Sequence, residues 1–316
     1  MKDQVNVARN RIGDHVLRTE CRRSAALSEV SGAEVWLKLE NTQLSGSFKL
    51  RGVMNKLLSL SAEDCKRRLV AASTGNHGAA FALGVTRLGL EGLLFLPTNA
   101  SAKKREAIQA SGIPYELVGD DCVETENHAH HFATKSGAVW VSPYNDPVIV
   151  SGQGTIGSEL LEQVDGLDAV LIPVGGGGLA GGIAGHLKAV DPSIEIIGCE
   201  PDASAVMAES VAAGEIVDIP SLPTLSDATA GGIEAGSITF DLCRRFVDRW
   251  VRISEDEIAA AIRLLHDSEG MTVEGGAALG AAVMLRRPDR LMGRTVAIVI
   301  TGSKIDDAVL AEILAG

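Results

Sequence analysis

Short apolar runs bounded by turn residues alternate with segments of helical periodicity along most of the chain. Helix-like spacing is clear at 78–89 and 102–112. Apolar strands that are separated by helices are typical of parallel sheets covered on both faces, so the pattern predicts an α/β fold. The runs that predict strands are residues 35–39, 68–73, 93–97, 114–119, 138–142, 169–174, 194–200, 249–254 and 295–301.

The length of 316 residues fits one large domain or two moderate ones. No linker-like stretch, fixed-period repeat or low-complexity tail interrupts the alternation. We therefore expect two α/β domains that share a cleft. Residues 1–65 and 146–316 are expected to form a large domain, and residues 66–145 a small one.

Three turns between a predicted strand and a predicted helix have an unusual composition. They are STGNHGAA from Ser73, PVGGGGLAGG from Pro173, and TGSK from Thr301. In open α/β sheets, ligands bind at the carboxyl ends of strands, against exposed helix N-termini. These turns are therefore the candidate site segments.

The four glycines from Gly175 to Gly178 predict a phosphate site, because successive glycines let several N–H groups approach one anion. Two phosphate-binding classes fit this segment. Gly176, Gly178 and Gly181 match G-x-G-x-x-G, and Glu200 ends the next strand where a ribose-binding acid would lie, which indicates a dinucleotide fold. A pyridoxal-phosphate site is the alternative, and this turn alone does not separate the two.

A lysine in NTQLSGSFKLRG, Lys49, favours the second class. It follows a strand-like run and lies between an aromatic residue and small polar residues, a setting that suits a lysine approached by a carbonyl compound. A hydride-transfer enzyme gives this lysine no role, whereas pyridoxal phosphate needs both a phosphate site and a lysine for a Schiff base.

Composition narrows the class of partner. The net charge is −12 and no basic run is present, which argues against nucleic acid or an anionic membrane and in favour of a small molecule. The start of the chain has no signal-peptide pattern, and no apolar run reaches membrane-spanning length. The cysteines are five, widely spread and without a C-x-x-C pair, so we expect reduced thiols in a cytoplasmic protein. They are Cys21, Cys65, Cys122, Cys199 and Cys243.

The motifs SGSFKLRG, STGNHG, SGQGT and VGGGG, in this order and spacing, resemble the fold-type II pyridoxal-phosphate enzymes, in particular the threonine/serine dehydratase and serine racemase family. The resemblance covers nearly the whole chain. It implies two three-layer α/β domains with mostly parallel sheets, as in the tryptophan synthase β subunit, with the cofactor in the cleft between the domains. It also implies a homodimer or a higher homo-oligomer.

The resemblance assigns a role to each matching residue. Lys49 would carry the cofactor and remove the α-proton of the substrate, Asn76 would bind the cofactor's ring oxygen, and Thr301 would face its ring nitrogen. The expected cofactor-binding residues are Phe48, Lys49, Asn76, Gly175, Gly176, Gly177, Gly178, Leu179 and Thr301. The expected substrate-binding residues are Ser73, Thr74, Gly75, Asn76, His77 and Asn145, with Lys49 and Thr74 catalytic.

The implied reaction is loss of the β-hydroxyl from an amino acid such as L-threonine or L-serine, giving a 2-oxo acid and ammonia. A hydroxyl at the ring nitrogen need not protonate it, which favours β-elimination over slower carbanion chemistry. In the racemases of this family a serine reprotonates the opposite face, and here Thr74 takes that position. Its extra methyl group crowds the site, so we expect dehydration to exceed racemisation.

Some positions depart from the family pattern. Ser303 and Lys304 replace a common Gly-Asn, and TLSDATAGG replaces an Asp-Gly-containing run, which leaves the substrate open. The alternatives are a specialised dehydratase (for threo-3-hydroxyaspartate, phenylserine or a hydroxyectoine-derived amino acid), a serine racemase, a cysteine-synthase-like β-replacement enzyme and a non-catalytic sensor. No C-terminal regulatory domain is expected.

The family's divalent-metal site is also incomplete in this sequence. Its three positions correspond to Glu200, the carbonyl of Ser204 and Val206, where metal-dependent relatives have an aspartate. One carboxylate and one carbonyl make a poor site for a hard cation unless Asp202 or water contributes. We therefore predict little or no dependence on divalent metal, and dependence on a monovalent cation stays open.

Overall fold

The computed structural model describes residues 1–100, 102–120 and 122–316, and of these the side chains of all but residues 102–104, 107, 122 and 123. The α-helices are α1 Lys2–Ile12, α2 Ala25–Ser31, α3 Lys49–Leu58, α4 Asn76–Leu88, α5 Ala102–Ala110, α6 Cys122–Ser136, α7 Pro147–Gln163, α8 Gly178–Val190, α9 Val206–Ala213, α10 Ile238–Phe246, α11 Glu255–Glu269, α12 Gly275–Leu285 and α13 Asp307–Ala315. The strands are β1 Cys21–Arg23, β2 Glu34–Lys38, β3 Leu69–Ala72, β4 Gly92–Leu96, β5 Tyr115–Leu117, β6 Val139–Trp140, β7 Ala169–Pro173, β8 Glu195–Pro201, β9 Arg249–Ile253 and β10 Thr295–Val299.

The strands form two sheets. The larger has six strands in the order β1-β2-β10-β7-β8-β9, and only its edge strand β1 is antiparallel to its neighbour. The smaller has four parallel strands in the order β5-β4-β3-β6. Each of the nine predicted strands is present, with shorter bounds in several cases, and β1 is a strand that the pattern did not predict.

Both sheets are covered on their two faces, as the apolar strands predicted. In β10, Val296 and Ile298 belong to the core on one side of the sheet, whereas Ala297 and Val299 belong to the core on the other. Strand β3 divides in the same way, with Leu69 and Ala71 on one side and Val70 and Ala72 on the other. Alternation along a strand places successive side chains in opposite layers, which gives each sheet three layers.

Helix α3 contributes to the core of the smaller sheet. Its residues Leu50, Val53, Met54 and Leu57 are buried in one cluster with Leu69, Phe81 and Leu94. The strands of the smaller sheet all lie within residues 66–145, whereas α3 lies before this range. The domain boundaries given above stay a prediction.

Two of the candidate turns meet at the larger sheet. Strands β7 and β10 are parallel neighbours, so the glycine turn after β7 and Thr301 after β10 lie at the same edge of the larger sheet. Among the described helices, none combines the length and apolar character that a membrane crossing requires.

Candidate active site

Lys49 is the first residue of α3, and its side chain is enclosed. Its Nζ donates a hydrogen bond to the carbonyl oxygen of Pro143 at 2.9 Å and lies 5.2 Å from the centre of the Phe48 ring. Burial lowers the pKa of Lys49 to about 8, although the carboxyl groups of Glu126 and Glu274 act in the opposite direction. About half of the amine is therefore neutral near pH 8, which is the form that attacks a carbonyl.

The segment before Lys49 is attached to the end of β10. The N–H of Phe48 donates to the carbonyl of Thr301 at 3.0 Å, and Ser47 forms an antiparallel bridge with Gly302. This pairing fixes the start of α3 against the larger sheet. It places Lys49 and Thr301, which are far apart in sequence, in the same site.

The glycine turn joins β7 to α8 and has no room for side chains. A Cβ atom on Gly176 would lie 2.5 Å from the ring of Tyr144, and one on Gly175 would lie 2.9 Å from the backbone of Thr229. Gly177 has φ +81°, a left-handed conformation that favours glycine. The first N–H groups of α8, starting at Gly178 and Leu179, have no partners within the helix and can donate hydrogen bonds to an anion.

Asn76 and Thr301 meet at one buried carboxyl group, that of Glu274. Asn76 Nδ2 donates to Glu274 Oε2 at 2.7 Å, and Thr301 Oγ1 donates to Glu274 Oε1 at 3.1 Å. Asn76 begins α4 beside the smaller sheet, whereas Thr301 follows β10 of the larger one. The carboxyl group therefore links the two sheets at the site, and its pKa is raised to about 7 because it is buried.

The turn from Ser73 to His77 opens α4. The N–H of Gly75 donates to Ser73 Oγ at 3.1 Å, and a Cβ atom on Gly78 would lie only 2.2 Å from the Ser73 carbonyl oxygen. The glycine at that position therefore allows the tight return of the chain before the helix. The N–H groups at the start of α4 and its dipole favour a carboxylate.

The contacts of the His77 side chain do not favour a role in anion binding. Its Nε2–H donates to the carbonyl oxygen of Val141 at 2.9 Å, and the ring is buried. Burial, together with the neighbouring charge of Lys49, lowers the pKa of His77 to about 3. The imidazole is therefore neutral and packed within the protein, and its backbone is what contributes to the turn.

The other residues expected from the sequence, Thr74, Gly75 and Asn145, lie at the edge of the site. Thr74 and Gly75 line a cavity of about 230 Å³ between α4 and Ile108 of α5. Asn145 donates from Nδ2 to Glu234 at 2.6 Å and accepts from the N–H of Ile238 at 3.0 Å. Its side chain therefore ties the loop after β6 to the segment before α10.

Residues 12–302 match a family described as "Pyridoxal-phosphate dependent enzyme". The chain belongs to this family. An L-threonine ammonia-lyase of Thermotoga maritima is 37% identical over 99% of this chain and 77% of its own length. The catabolic L-threonine dehydratase of Escherichia coli K12 is 34% identical over 98% of this chain and 95% of its own.

The solved structure of maize serine racemase has the same fold as this chain. It superimposes with a TM-score of 0.92 at 30% identity, over 99% of this chain and 96% of that one. The expected family, the fold class and the pyridoxal-phosphate cofactor are therefore confirmed, and the dinucleotide alternative is set aside. The roles of single residues stay a prediction.

The residues present fit the family's cofactor. Asn76 Oδ1 is buried without a hydrogen-bond partner, which indicates an unfilled polar position where the resemblance puts the cofactor ring. The side-chain-free turn at Gly175 to Gly178 offers helix N–H groups for a phosphate, and Lys49 offers an amine of lowered pKa. The residues expected from the sequence therefore have the chemistry that a pyridoxal-phosphate site requires.

Sequence reasoning missed three polar residues at the site. Tyr144 lies on the glycine turn and accepts a hydrogen bond from the N–H of Glu234. Glu126 of α6 faces Lys49, and burial raises its pKa to about 7. Glu274 precedes α12 in an ordinary stretch, VEGGAALG. None of them carries a motif, and their roles come from packing between distant segments.

One of the positions that correspond to the family's metal site, Glu200, makes hydrogen bonds within the protein. Its carboxyl group accepts from the N–H groups of Met207 and Ala208 at 3.0 and 2.7 Å, which caps α9. Within residues 1–100, 102–120 and 122–316, no three His, Cys, Asp or Glu side chains are grouped to hold a metal ion. Independence of divalent metal stays a prediction.

Proposed function

We propose that this enzyme removes the β-hydroxyl group and the amino group of a β-hydroxy amino acid, such as L-threonine or L-serine, as a 2-oxo acid and ammonia. The observation that carries the proposal is the half-buried Lys49, with its pKa lowered to about 8, in the same site as Asn76, Thr301 and the glycine turn. The names of the Thermotoga and Escherichia relatives support the same reaction class.

Lys49 would hold the cofactor through its amine, and its Nζ would take the α-proton of the substrate. Its enclosed position beside Phe48 and Pro143 keeps the amine from bulk water and restricts its motion. Neutral lysine is a competent base near pH 8, because a catalytic base works best when its pKa is near the working pH.

The turn Ser73–His77 binds the substrate carboxylate. The N-terminus of α4 supplies N–H groups and a favourable dipole, while the neutral His77 adds no positive charge. With its carboxylate held at this turn and its amino group held by the cofactor beside Lys49, the substrate would be fixed at two points. Two fixed points of this kind orient the substrate before reaction.

Pyridoxal phosphate, when bound, withdraws electrons from Cα and so lowers the barrier to proton loss. The resemblance puts the hydroxyl of Thr301, rather than a carboxylate, at the ring nitrogen. A hydroxyl would limit that withdrawal, which would favour loss of the β-hydroxyl over slower alternatives.

Racemisation of serine is the second candidate, because the maize serine racemase shares the fold along almost the whole chain. It needs a second acid at the face opposite Lys49, and the resemblance puts Thr74 there. The β-branched side chain of threonine restricts χ1 and brings an extra methyl group to the site. We therefore expect elimination to exceed racemisation.

The test is a panel of β-hydroxy amino acids, including L-threonine, L-serine, threo-3-hydroxyaspartate and phenylserine, scored for 2-oxo acid, ammonia and D-amino acid. A parallel assay with O-acetylserine and sulfide scores β-replacement. We expect 2-oxo acid and ammonia in equal amounts and little D-serine. Equal rates of D-serine and pyruvate formation, or turnover only with sulfide, would reject the proposal.

A variant sharpens the racemase question. Thr74→Ser keeps the hydroxyl and removes the methyl group, so we expect the ratio of D-serine to pyruvate to rise several-fold. Thr74→Val removes the hydroxyl at nearly constant volume and serves as the matched control. A ratio that is the same in Thr74→Ser and Thr74→Val would show that this side chain does not reprotonate the substrate.

We also infer a cytoplasmic, homo-oligomeric enzyme with the domain bounds 1–65 with 146–316 and 66–145. The free thiols Cys21, Cys65, Cys199 and Cys243 support a reducing compartment, and the side chain of Cys122 lies outside the described residues. Fractionation of the source cells and light scattering of the purified protein test location and assembly.

A further inference from the structure

Glu274 is a buried ionisable group that the proposed reaction does not use. Its side chain is 2% exposed and lies against Gly302, where a Cβ atom would come within 2.6 Å of Oε1. The glycine therefore leaves space for a carboxyl group directly behind Thr301. A carboxyl group in such a place is costly unless its hydrogen-bonding groups are satisfied.

The two carboxyl oxygens of Glu274 accept hydrogen bonds from residues beside different sheets. Asn76 Nδ2 donates to Oε2, and as a result Asn76 Oδ1 is the atom left free. Had the amide been turned over, its oxygen would have met a carboxylate oxygen, which is unfavourable for the ionised group. Glu274 thus fixes which end of the Asn76 amide is available to a ligand.

Thr301 has two possible roles at the same carboxyl group. When Glu274 is ionised, it can only accept a hydrogen bond from the Thr301 hydroxyl across the 3.1 Å contact, and Thr301 then has only lone pairs to offer elsewhere. When Glu274 is protonated, its O–H donates to Thr301 Oγ1, and the hydroxyl proton of Thr301 becomes available to another acceptor.

We propose that Glu274 is a positioning residue whose protonation decides whether Thr301 presents a hydrogen-bond acceptor or a donor to the cofactor's ring nitrogen. The same carboxyl group holds the Asn76 amide in one orientation. This inference rests on the proposed function and on the roles it gives to Asn76 and Thr301. An acceptor at Thr301 suits a protonated ring nitrogen, and a donor suits an unprotonated one.

Burial and the charges around Glu274 place the protonation of its carboxyl group near neutral pH. Burial raises its pKa to about 7 and outweighs the hydrogen bonds from Asn76 and Thr301. Asp227 repels the ionised form, whereas Lys304 attracts it. Lys49 also faces the carboxyl group across the site, and His77 beside Asn76 stays neutral.

The experiment follows the visible absorption of bound pyridoxal phosphate in the holoenzyme from pH 5.5 to 9. Wild type is expected to show a spectral transition centred near pH 7. In Glu274→Gln the side-chain oxygen accepts from Asn76 and the NH₂ group donates to Thr301, so Thr301 stays a donor and the transition should disappear. The dissociation constant for pyridoxal phosphate, measured by fluorescence, should rise less than tenfold, since Asn76 keeps its orientation.

Thr301→Val breaks the same connection without touching the carboxyl group, and it keeps the inference testable if Glu274→Gln does not fold. It should also abolish the transition. Glu200→Gln is the matched control, because Glu200 is a buried carboxyl group with a pKa raised to about 8 that caps α9. The transition should persist there.

The outcomes separate the inference from the function. A wild-type protein that binds no pyridoxal phosphate rejects the proposed function. A coloured wild type without a transition between pH 5.5 and 9 rejects the inference alone. A transition of unchanged midpoint and amplitude in Glu274→Gln or in Thr301→Val rejects it too.

Discussion

Two buried clusters of charged groups lie along helix α3, and they behave in opposite ways. Around Arg51, the side chains of Lys38, Glu40 and Glu159 are fully paired, with Arg51 Nε at 2.8 Å from Glu40 and Nη1 at 2.6 Å from Glu159. Around Lys49, two residues earlier, Glu126 and Glu274 are near neighbours in charge but make no ion pair with the lysine among the described contacts.

The pKa shifts follow from this difference. In the first cluster opposite charges raise the pKa of Arg51 and lower that of Glu40, so both groups are ionised at any physiological pH. In the second, burial dominates and brings Lys49 to about 8, with Glu126 and Glu274 at about 7. Close pairing keeps Arg51 and Glu40 charged, whereas burial without close pairing leaves groups that can exchange protons at neutral pH.

The largest effect is expected from Lys49→Ala. Turnover should fall by about 10³-fold or more, because both the covalent attachment and the base are lost. The free energy of unfolding of the cofactor-free protein should change little or rise, since a buried amine without an ion pair is removed. Product formation and denaturant unfolding measure the two effects. Near-normal turnover in this variant would contradict the assignment of Lys49.

Arg51→Met tests the first cluster. It leaves Glu40 and Glu159 buried without their main partner, which should lower the free energy of unfolding by about 3–5 kcal/mol. The matched control is Arg252→Met, because Arg252 pairs with Asp202 and Glu209 at the surface and should cost less than about 1 kcal/mol. Urea denaturation compares the variants, and equal losses would show that burial of the ion pairs does not matter.

Glu274→Gln tests the second cluster through stability. Burial raises the pKa of Glu274 in the folded state to about 7, above the ordinary glutamate value of 4.5, so the folded state holds a proton that the unfolded state releases. Stability is therefore greatest below pH 4.5 and is lost as pH rises through 7, by about 3 kcal/mol at most. The difference in unfolding free energy between wild type and Glu274→Gln, measured in the cofactor-free protein, should show this decline and level off above pH 8. A difference that is constant with pH would contradict the raised pKa.

The smallest effect is expected from divalent metal. Chelation, and then re-addition of Mg²⁺ or Ca²⁺, should change activity by less than about twofold and the melting temperature by less than about 2 °C. The reason is that Glu200 already accepts hydrogen bonds from two N–H groups of α9. A several-fold loss that the divalent ion restores, and that is absent in Glu200→Gln, would show that these residues hold a metal after all.

The sequence by itself determined the alternation of elements and the reactive segments. Apolar runs such as 169–174 and 295–301 can only be buried on both faces, which requires helices on both sides of a sheet. Local chemistry also predicts roles for Lys49, the Gly175–Gly178 turn and the start of α4, because the pattern of a phosphate site and of a helix N-terminus lies in a few consecutive residues.

Only the tertiary structure decided which distant groups meet at those segments. Strand β1 pairs at a sheet edge from three residues without a clear pattern, and α3 packs against the smaller sheet although it precedes it in the chain. Glu274 lies some 200 positions from Asn76 and 27 from Thr301, so no local pattern links them. Burial and pairing depend on the whole fold, and they are what separate the titratable Lys49 from the permanently charged Arg51 on the same helix.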